Sequence, residues 1–133
     1  MFLTSSDLGF VMLIDDSKVD NYINTKVLEL SEKAKDIKVF DNANEALEFL
    51  NNSVQIPNVI FLDIYMPSMD GFDFLEEFEK LPDHIKNKTK VLLLSSAYDM
   101  LEVEKLKRYH WLSGYITKPL TYESLNSRPI QIQ

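Results

Sequence analysis

Three short runs of consecutive apolar residues stand out along the chain, at residues 10–14, 59–62 and 91–94. Each run is too short for a buried helix and shows no alternation with polar residues. Such runs are typical of strands that are covered on both faces, as in a parallel sheet. Two weaker apolar stretches, residues 37–40 and 114–116, predict two further strands. The pattern therefore predicts five strands.

The segments between these strands show apolar residues at helical spacing. The predicted stripes are Val19, Ile23, Val27 and Leu30, with Tyr22 and Lys26; Ala43, Ala46, Leu47 and Leu50; Phe72, Leu75 and Phe78; and Met100, Val103 and Leu106. A short fifth helix is predicted around residues 121–126. Strands that alternate with helices indicate right-handed crossovers and an α/β fold with a doubly wound parallel sheet.

The length and composition suit a single domain. The chain has 133 residues, 45% of them hydrophobic and 26% charged, without an internal repeat or a linker rich in glycine, serine and proline. We expect an N-terminal tail at residues 1–9, one domain at residues 10–127 and a C-terminal tail at residues 128–133. A signal peptide and a membrane span are not expected, so the predicted location is cytoplasmic.

The charge and the cysteine count exclude some classes of function. A net charge of −7 disfavours direct binding of nucleic acid, because neutralising phosphates requires clustered lysine and arginine. The chain has no cysteine, which excludes disulfides and zinc–thiolate sites. An acidic protein could instead bind a cation where several of its acids converge.

Residues capable of chemistry follow four of the five predicted strands. Asp15 and Asp16 follow the first strand, Asp63 the third, Ser95 the fourth and Lys118 the fifth. In doubly wound sheets the working site lies beyond the carboxyl ends of the strands, so these side chains are expected to converge.

The converging acids favour a site for Mg²⁺, which prefers oxygen ligands and keeps several waters. A carboxylate such as Asp63 can also act as a covalent nucleophile and form an acyl phosphate. Lys118 and the Ser95 hydroxyl would then contact phosphoryl oxygens, since phosphoryl transfer depends on positioning and charge neutralisation. Taken singly, each residue has an ordinary alternative: Asp15 and Asp16 as helix caps, Asp63 as a cap or surface acid, and Lys118 as a solvated side chain.

Together, these residues resemble those of response-regulator receiver domains. That family has an acidic pair after strand one, Asp after strand three, Ser or Thr after strand four and Lys-Pro after strand five. Residues 63–71, Asp-Ile-Tyr-Met-Pro-Ser-Met-Asp-Gly, are similar to its most recognisable motif. The resemblance implies a flavodoxin-like (βα)5 fold, here with a short last helix.

The resemblance also implies a role for each residue of the site. Asp63 would accept a phosphoryl group from the phosphohistidine of a histidine kinase or a histidine phosphotransfer protein. Mg²⁺ would be bound by Asp16 directly, by Asp15 through water, by Asp63 and by the backbone carbonyl of Tyr65. Such a chain is a regulatory phosphoacceptor, catalysing only its own phosphorylation and dephosphorylation, and signals to a downstream protein partner as a monomer or weak dimer.

Two aromatic residues are expected to shape this chemistry. By the same resemblance, Ser95 and Tyr115 form the switch: the Ser95 hydroxyl moves toward the phosphoryl group and Tyr115 turns inward. The alternative for Tyr115 is an ordinary tyrosine of a strand. Tyr65 is bulky beside the phosphoryl site, and we expect it to shield the acyl phosphate from water.

Three other functions compete with this interpretation. A Mg²⁺-dependent phosphohydrolase with an aspartyl nucleophile commonly has a second Asp two residues later, where this chain has Tyr65. A degenerate, receiver-like module would bind protein without binding Mg²⁺. A flavin- or nucleotide-binding domain needs a loop rich in glycine or hydroxyl groups after the first strand, where Asp15 and Asp16 would repel phosphate.

Overall fold

A single five-stranded parallel sheet organises the protein in its computed structural model, which describes residues 8–66, 69–95 and 104–126. The strands are β1 (Gly9–Ile14), β2 (Ala34–Phe40), β3 (Val59–Asp63), β4 (Lys90–Ser95) and β5 (Gly114–Thr117). Their order across the sheet is β2-β1-β3-β4-β5, and every neighbouring pair is parallel. The five predicted strands and the doubly wound α/β architecture are therefore confirmed.

Helices follow most of the strands. Those whose bounds lie within the described residues are α1 (Lys18–Ser31), α2 (Ala43–Asn52), α3 (Gly71–Glu79), the single turn α4 (Asp83–Lys86) and α5 (Tyr122–Asn126). Residues 104–106 are also helical. The short last helix is as predicted. Of the fourth predicted stripe, Met100 and Val103 lie outside the described residues, whereas Leu106 is buried. Within the described segments, the structure has no helix long and apolar enough to cross a membrane.

The sheet buries apolar side chains on both of its faces. Met12 and Ile14 of β1 belong to one core cluster, which α2 and α3 complete, and Val11 and Leu13 belong to a second cluster together with Leu28 of α1. Successive side chains of a strand point to opposite faces, so these clusters lie on the two sides of the sheet. Two-sided burial explains why β1, β3 and β4 are runs of apolar residues without polar alternation, whereas β2, at one side of the sheet, carries charged residues.

Residues 8 and 9 already pack against the sheet, ahead of the expected tail boundary. Leu8 is only 1% exposed and its backbone N–H donates to the carbonyl of Lys33 at 3.1 Å. Gly9 already belongs to β1, at a φ of 64° that favours glycine. Residues 8 and 9, which we expected in the tail, therefore belong to the folded unit.

The buried face of α1 differs from the predicted one. Of the predicted stripe, Val19 is 67% exposed and Leu30 is 82% exposed. The residues that α1 buries are Asn21, Asn24 and Leu28, at spacings of three and four. The prediction was wrong because it used the spacing of apolar residues alone. The first half of this helix instead packs the polar side chains of Asn21 and Asn24 against the segments that follow β1 and β5.

Candidate functional site

The carboxyl ends of the strands bring the predicted residues to one edge of the sheet. Asp63 ends β3 and Ser95 ends β4, and these strands are neighbours. Asp15 follows β1 directly, on the other side of β3. Lys118 follows β5, and its backbone N–H donates to the carbonyl of Ser95 at 2.8 Å. The topology thus places residues distant in sequence around the end of β3.

Three carboxylates meet at this edge. Asp15, Asp16 and Asp63 each offer an oxygen within 4.8 Å of the other two. Asp15 and Asp63 are buried, whereas Asp16 is exposed to solvent. Like charges at this separation repel strongly in a partly buried setting, and a hard cation with oxygen ligands relieves that repulsion. The donor set therefore fits Mg²⁺.

Neither member of the acidic pair is the N-cap of α1. The cap is Ser17, whose Oγ accepts a hydrogen bond from the backbone N–H of Asp20 at 3.1 Å. Asp15 Oδ1 instead accepts from the backbone N–H of Ser17 at 2.9 Å. The alternative interpretation of Asp15 and Asp16 as helix caps is therefore wrong, and this leaves Asp16 available at the edge of the site.

Lys118 is the cation at the centre of the acidic cluster. Its Nζ lies 2.8 Å from Asp15 Oδ2, 2.9 Å from Asp20 Oδ2 and 3.2 Å from Asp63 Oδ1. Asp15 Oδ2 makes no hydrogen bond of suitable angle within the described segments, so charge attraction holds that contact. The Lys118 side chain is only 13% exposed, so these interactions are weakly screened.

Asp63 is not an ordinary carboxyl group. Burial raises its pKa from 3.8 to about 7, and the charges of Asp15 and Asp16 add to this, while Lys118 opposes the shift. Without a cation, much of Asp63 is therefore protonated at neutral pH. The sequence indicated that Asp63 could be a nucleophile, but it did not reveal how deeply the residue lies.

Lys118, by contrast, stays charged. Burial alone would lower its pKa, but the short contacts with Asp15 and Asp20 and the charges of Asp15 and Asp63 outweigh burial. The net result is a pKa above the ordinary lysine value. The site therefore keeps one fixed positive charge among its acids.

Three polar residues of α1 support the site and were missed from the sequence. Asn21 Nδ2 donates to the backbone carbonyl of Asp15 at 2.7 Å. Asn24 Oδ1 accepts from the backbone N–H of Leu120, two residues after Lys118, at 3.1 Å. The Asp20 carboxylate contacts the Lys118 ammonium. Side chains of α1 therefore hold both the backbone at Asp15 and the segment from Lys118 to Leu120. The polar spacing of these residues along α1 was the available signal.

The loop that follows Asp63 is held by close packing at the start of α3. Gly71 N–H donates to the carbonyl of Ile64 at 2.7 Å. A Cβ at Gly71 would lie 2.7 Å from the Cα of Ile64, too close for any other residue without movement. Asp70 caps α3 in a capping box with Asp73. Pro67 and Ser68, which lie between Asp63 and α3 in the predicted motif, are outside the described residues.

The remaining predicted residues lie at different depths. Ser95 is 5% exposed at the end of β4, and Tyr115 is 6% exposed within the core, paired in register with Leu93. Tyr65, two residues past Asp63, is 55% exposed. Its ring is therefore free of core packing, unlike that of Tyr115.

Comparisons with known proteins agree with this architecture. The family model described as "Response regulator receiver domain" matches residues 11–128. The sensor histidine kinase CheAY of Helicobacter pylori is 35% identical over 121 residues, 88% of this chain but only 14% of that protein's length. The response regulator Rcp1 of Synechocystis sp. is 26% identical over 86% of this chain and 80% of its own. A crystal structure of a two-component response regulator from Cytophaga hutchinsonii has a TM-score of 0.81 and 32% identity, covering 90% of this chain and 92% of that one.

Proposed function

This chain belongs to the response regulator receiver domain family, and from that premise we propose that Asp63 accepts a phosphoryl group from a phosphohistidine donor. The donor is a histidine kinase or a histidine phosphotransfer protein. The observation that supports this most strongly is the position of Asp63, which is buried beside Asp15 and Asp16 and in contact with the ammonium of Lys118. The protein acts as a regulatory phosphoacceptor and not as an enzyme with turnover of external substrates.

In the proposed step, a carboxylate oxygen of Asp63 attacks the phosphorus atom of the donor. The new O–P bond forms as the P–N bond to the donor imidazole breaks, and the electron pair leaves with that nitrogen. Asp63 must be deprotonated to attack, which its raised pKa opposes in the metal-free site. A bound Mg²⁺ supplies the positive charge that favours the ionised carboxylate and neutralises phosphoryl oxygens.

We propose that the ligands of Mg²⁺ come from the donors around Asp63. Asp16 would bind the cation directly, Asp15 would act through water, and Asp63 and the backbone carbonyl of Tyr65 would complete the protein ligands. The proximity of the three carboxylates supports this assignment. The outward exposure of Asp16 supports its role, because an arriving hydrated cation meets that residue first.

Lys118 and Ser95 hold the phosphoryl group once it is attached. The ammonium contacts one phosphoryl oxygen, and the Ser95 hydroxyl donates a hydrogen bond to another. The backbone hydrogen bond from Lys118 to Ser95 supports a shared role, because it fixes the two residues side by side. Both groups offer donors to an anion, which is the requirement for stabilising phosphoryl charge.

Phosphorylation then changes a surface that a downstream protein partner recognises. Because Tyr115 is already buried, movement of Ser95 toward the phosphoryl group would let the Tyr115 ring shift further into the space that Ser95 leaves, and the added charge biases a two-state surface. The register of Tyr115 in β5, beside β4, supports the coupling of these residues. We place this protein in the cytoplasm, as a monomer or weak dimer that does not bind nucleic acid.

The proposal is tested by intact mass after incubation with phosphoramidate, with and without Mg²⁺. We expect a Mg²⁺-dependent gain of one phosphoryl group in the native chain and none in Asp63→Ala. Asp83→Ala is the matched control, because the Asp83 side chain is 87% exposed and lies in α4. Phosphorylation of Asp63→Ala to the native extent would contradict the assignment, and release of phosphate without a phosphorylated protein would favour a phosphohydrolase.

A further inference from the structure

Asp20 is a fourth acid of the site and, of the three carboxylates paired with Lys118 in the described structure, the one that comes from a helix. We propose that Asp20 is a positioning residue that restrains the Lys118 ammonium toward α1, so that the ammonium is shared between Asp20 and the phosphoryl acceptor Asp63. This inference rests on the proposed function, because it concerns how Lys118 becomes available to the phosphoryl group.

Three carboxylates surround the Lys118 ammonium. The ammonium donates a hydrogen bond to Asp20 Oδ2, whereas its contact with Asp15 Oδ2 rests on charge attraction. The distances to Asp15 and Asp20 are 2.8 and 2.9 Å, whereas the distance to Asp63 is 3.2 Å. The ammonium is therefore drawn toward β1 and α1, and an incoming phosphoryl oxygen has to compete for it.

The position of Asp20 suits a restraint that can be released. Its backbone is fixed in the first turn of α1, where its N–H donates to the cap residue Ser17. Its side chain is 33% exposed, compared with 1% for Asp15. Water can therefore hydrate the carboxylate of Asp20 when the ammonium leaves. Loss of the ammonium from Asp15 would instead leave a buried charge without its partner, which costs free energy.

Removing the Asp20 carboxylate has two consequences that can be measured separately. In Asp20→Asn, the ammonium relaxes toward Asp15 and Asp63, so it competes more strongly with a cation. The Kd for Mg²⁺ should rise about threefold, as expected for a partly exposed ion pair. At saturating Mg²⁺, the unrestrained ammonium reaches the phosphoryl group more readily, and phosphorylation by phosphoramidate should accelerate by about the same factor.

The experiment compares these two quantities in matched variants. Glu29→Gln removes one carboxylate from the same helix, at an exposed residue paired with Lys26, and controls for net charge. Asp20→Glu keeps a carboxylate within reach of the ammonium and should restore values near those of the native chain. The Lys118→Met background removes the ammonium, so that the direct electrostatic effect of Asp20 is measured alone.

The result we expect is a change in Asp20→Asn that is absent in Glu29→Gln and much reduced when Lys118 is replaced by Met. An equal change of Mg²⁺ affinity with and without Lys118 would overturn the proposal, because Asp20 would then act through its charge alone. Unchanged affinity and rate in Asp20→Asn would also overturn it. If the native chain itself gained no phosphoryl group, the proposed function would fail, whereas the Mg²⁺ affinities would still decide the role of Asp20.

Discussion

At the scale of single residues, Asp63 experiences opposing forces. Burial and the charges of Asp15 and Asp16 favour its protonated form, and Lys118 favours the carboxylate. A buried carboxyl group whose pKa lies near neutral pH becomes a better nucleophile when a cation binds beside it, because the cation favours the carboxylate. The chemistry of Asp63 is therefore coupled to cation binding. The same arrangement destabilises the fold when no cation is bound.

The cost of ionising Asp63 should appear in the pH dependence of stability. Its folded pKa of about 7 exceeds the ordinary value of 3.8, so the folded state binds the proton more tightly. Below pH 4 the carboxyl is protonated in both states and there is no cost. The cost grows as the pH rises and is complete above pH 7. In EDTA, Asp63→Asn should therefore stabilise the protein more at pH 8 than at pH 5, by about 2 kcal/mol.

Urea unfolding at the two pH values measures this difference. Asp83→Asn serves as the control, because the Asp83 side chain is 87% exposed and its replacement should give the same small change at both pH values. A stabilisation of Asp63→Asn that is equal at pH 5 and pH 8 would show that Asp63 has no raised pKa in the folded protein.

Tyr65 is predicted to slow loss of the phosphoryl group. Its side chain is 55% exposed, two residues after the acceptor, so its ring can cover the acyl phosphate without leaving a core position. Tyr65→Asn should increase the dephosphorylation rate, and Tyr65→Phe should leave it near the native value. Decay of the phosphorylated mass after removal of the donor gives the rate, and an unchanged rate in Tyr65→Asn would contradict the shielding role.

At the scale of elements, α1 shows where sequence patterns stop being sufficient. An apolar stripe predicts a helix well, and α1 is indeed a helix of 14 residues. The face it buries depends on which groups of the sheet need partners, and here these are the carbonyl of Asp15 and the N–H of Leu120. Those requirements arise only when the strand ends are assembled, so periodicity along one segment could not reveal them.

A matched pair of leucines tests which face of α1 is buried. Leu28 is fully buried in the core, whereas Leu30 is 82% exposed, two residues later on the same helix. Leu28→Ala should reduce the free energy of unfolding by about 3 kcal/mol, and Leu30→Ala by less than about 0.5 kcal/mol. Equal losses in urea unfolding would contradict the observed orientation of the helix.

At the scale of the whole molecule, the site follows from topology more than from local sequence. The apolar runs of β1, β3 and β4, with the weaker stretch of β5, predict parallel strands, and parallel strands bring their carboxyl ends to one edge. This reasoning was enough to predict that Asp15, Asp63 and Lys118 converge. It could not predict the contact between Asp20 and Lys118, because that depends on the rotation of α1 about its own axis.

The central claim is that an acyl phosphate forms on Asp63, and borohydride reduction tests it most directly. The protein is incubated with phosphoramidate and Mg²⁺, reduced and digested, and its peptides are analysed by mass spectrometry. We predict that residue 63 is converted to homoserine, because borohydride reduces an acyl phosphate and leaves free carboxylates intact. Homoserine at another acid, with residue 63 unchanged, would contradict the account.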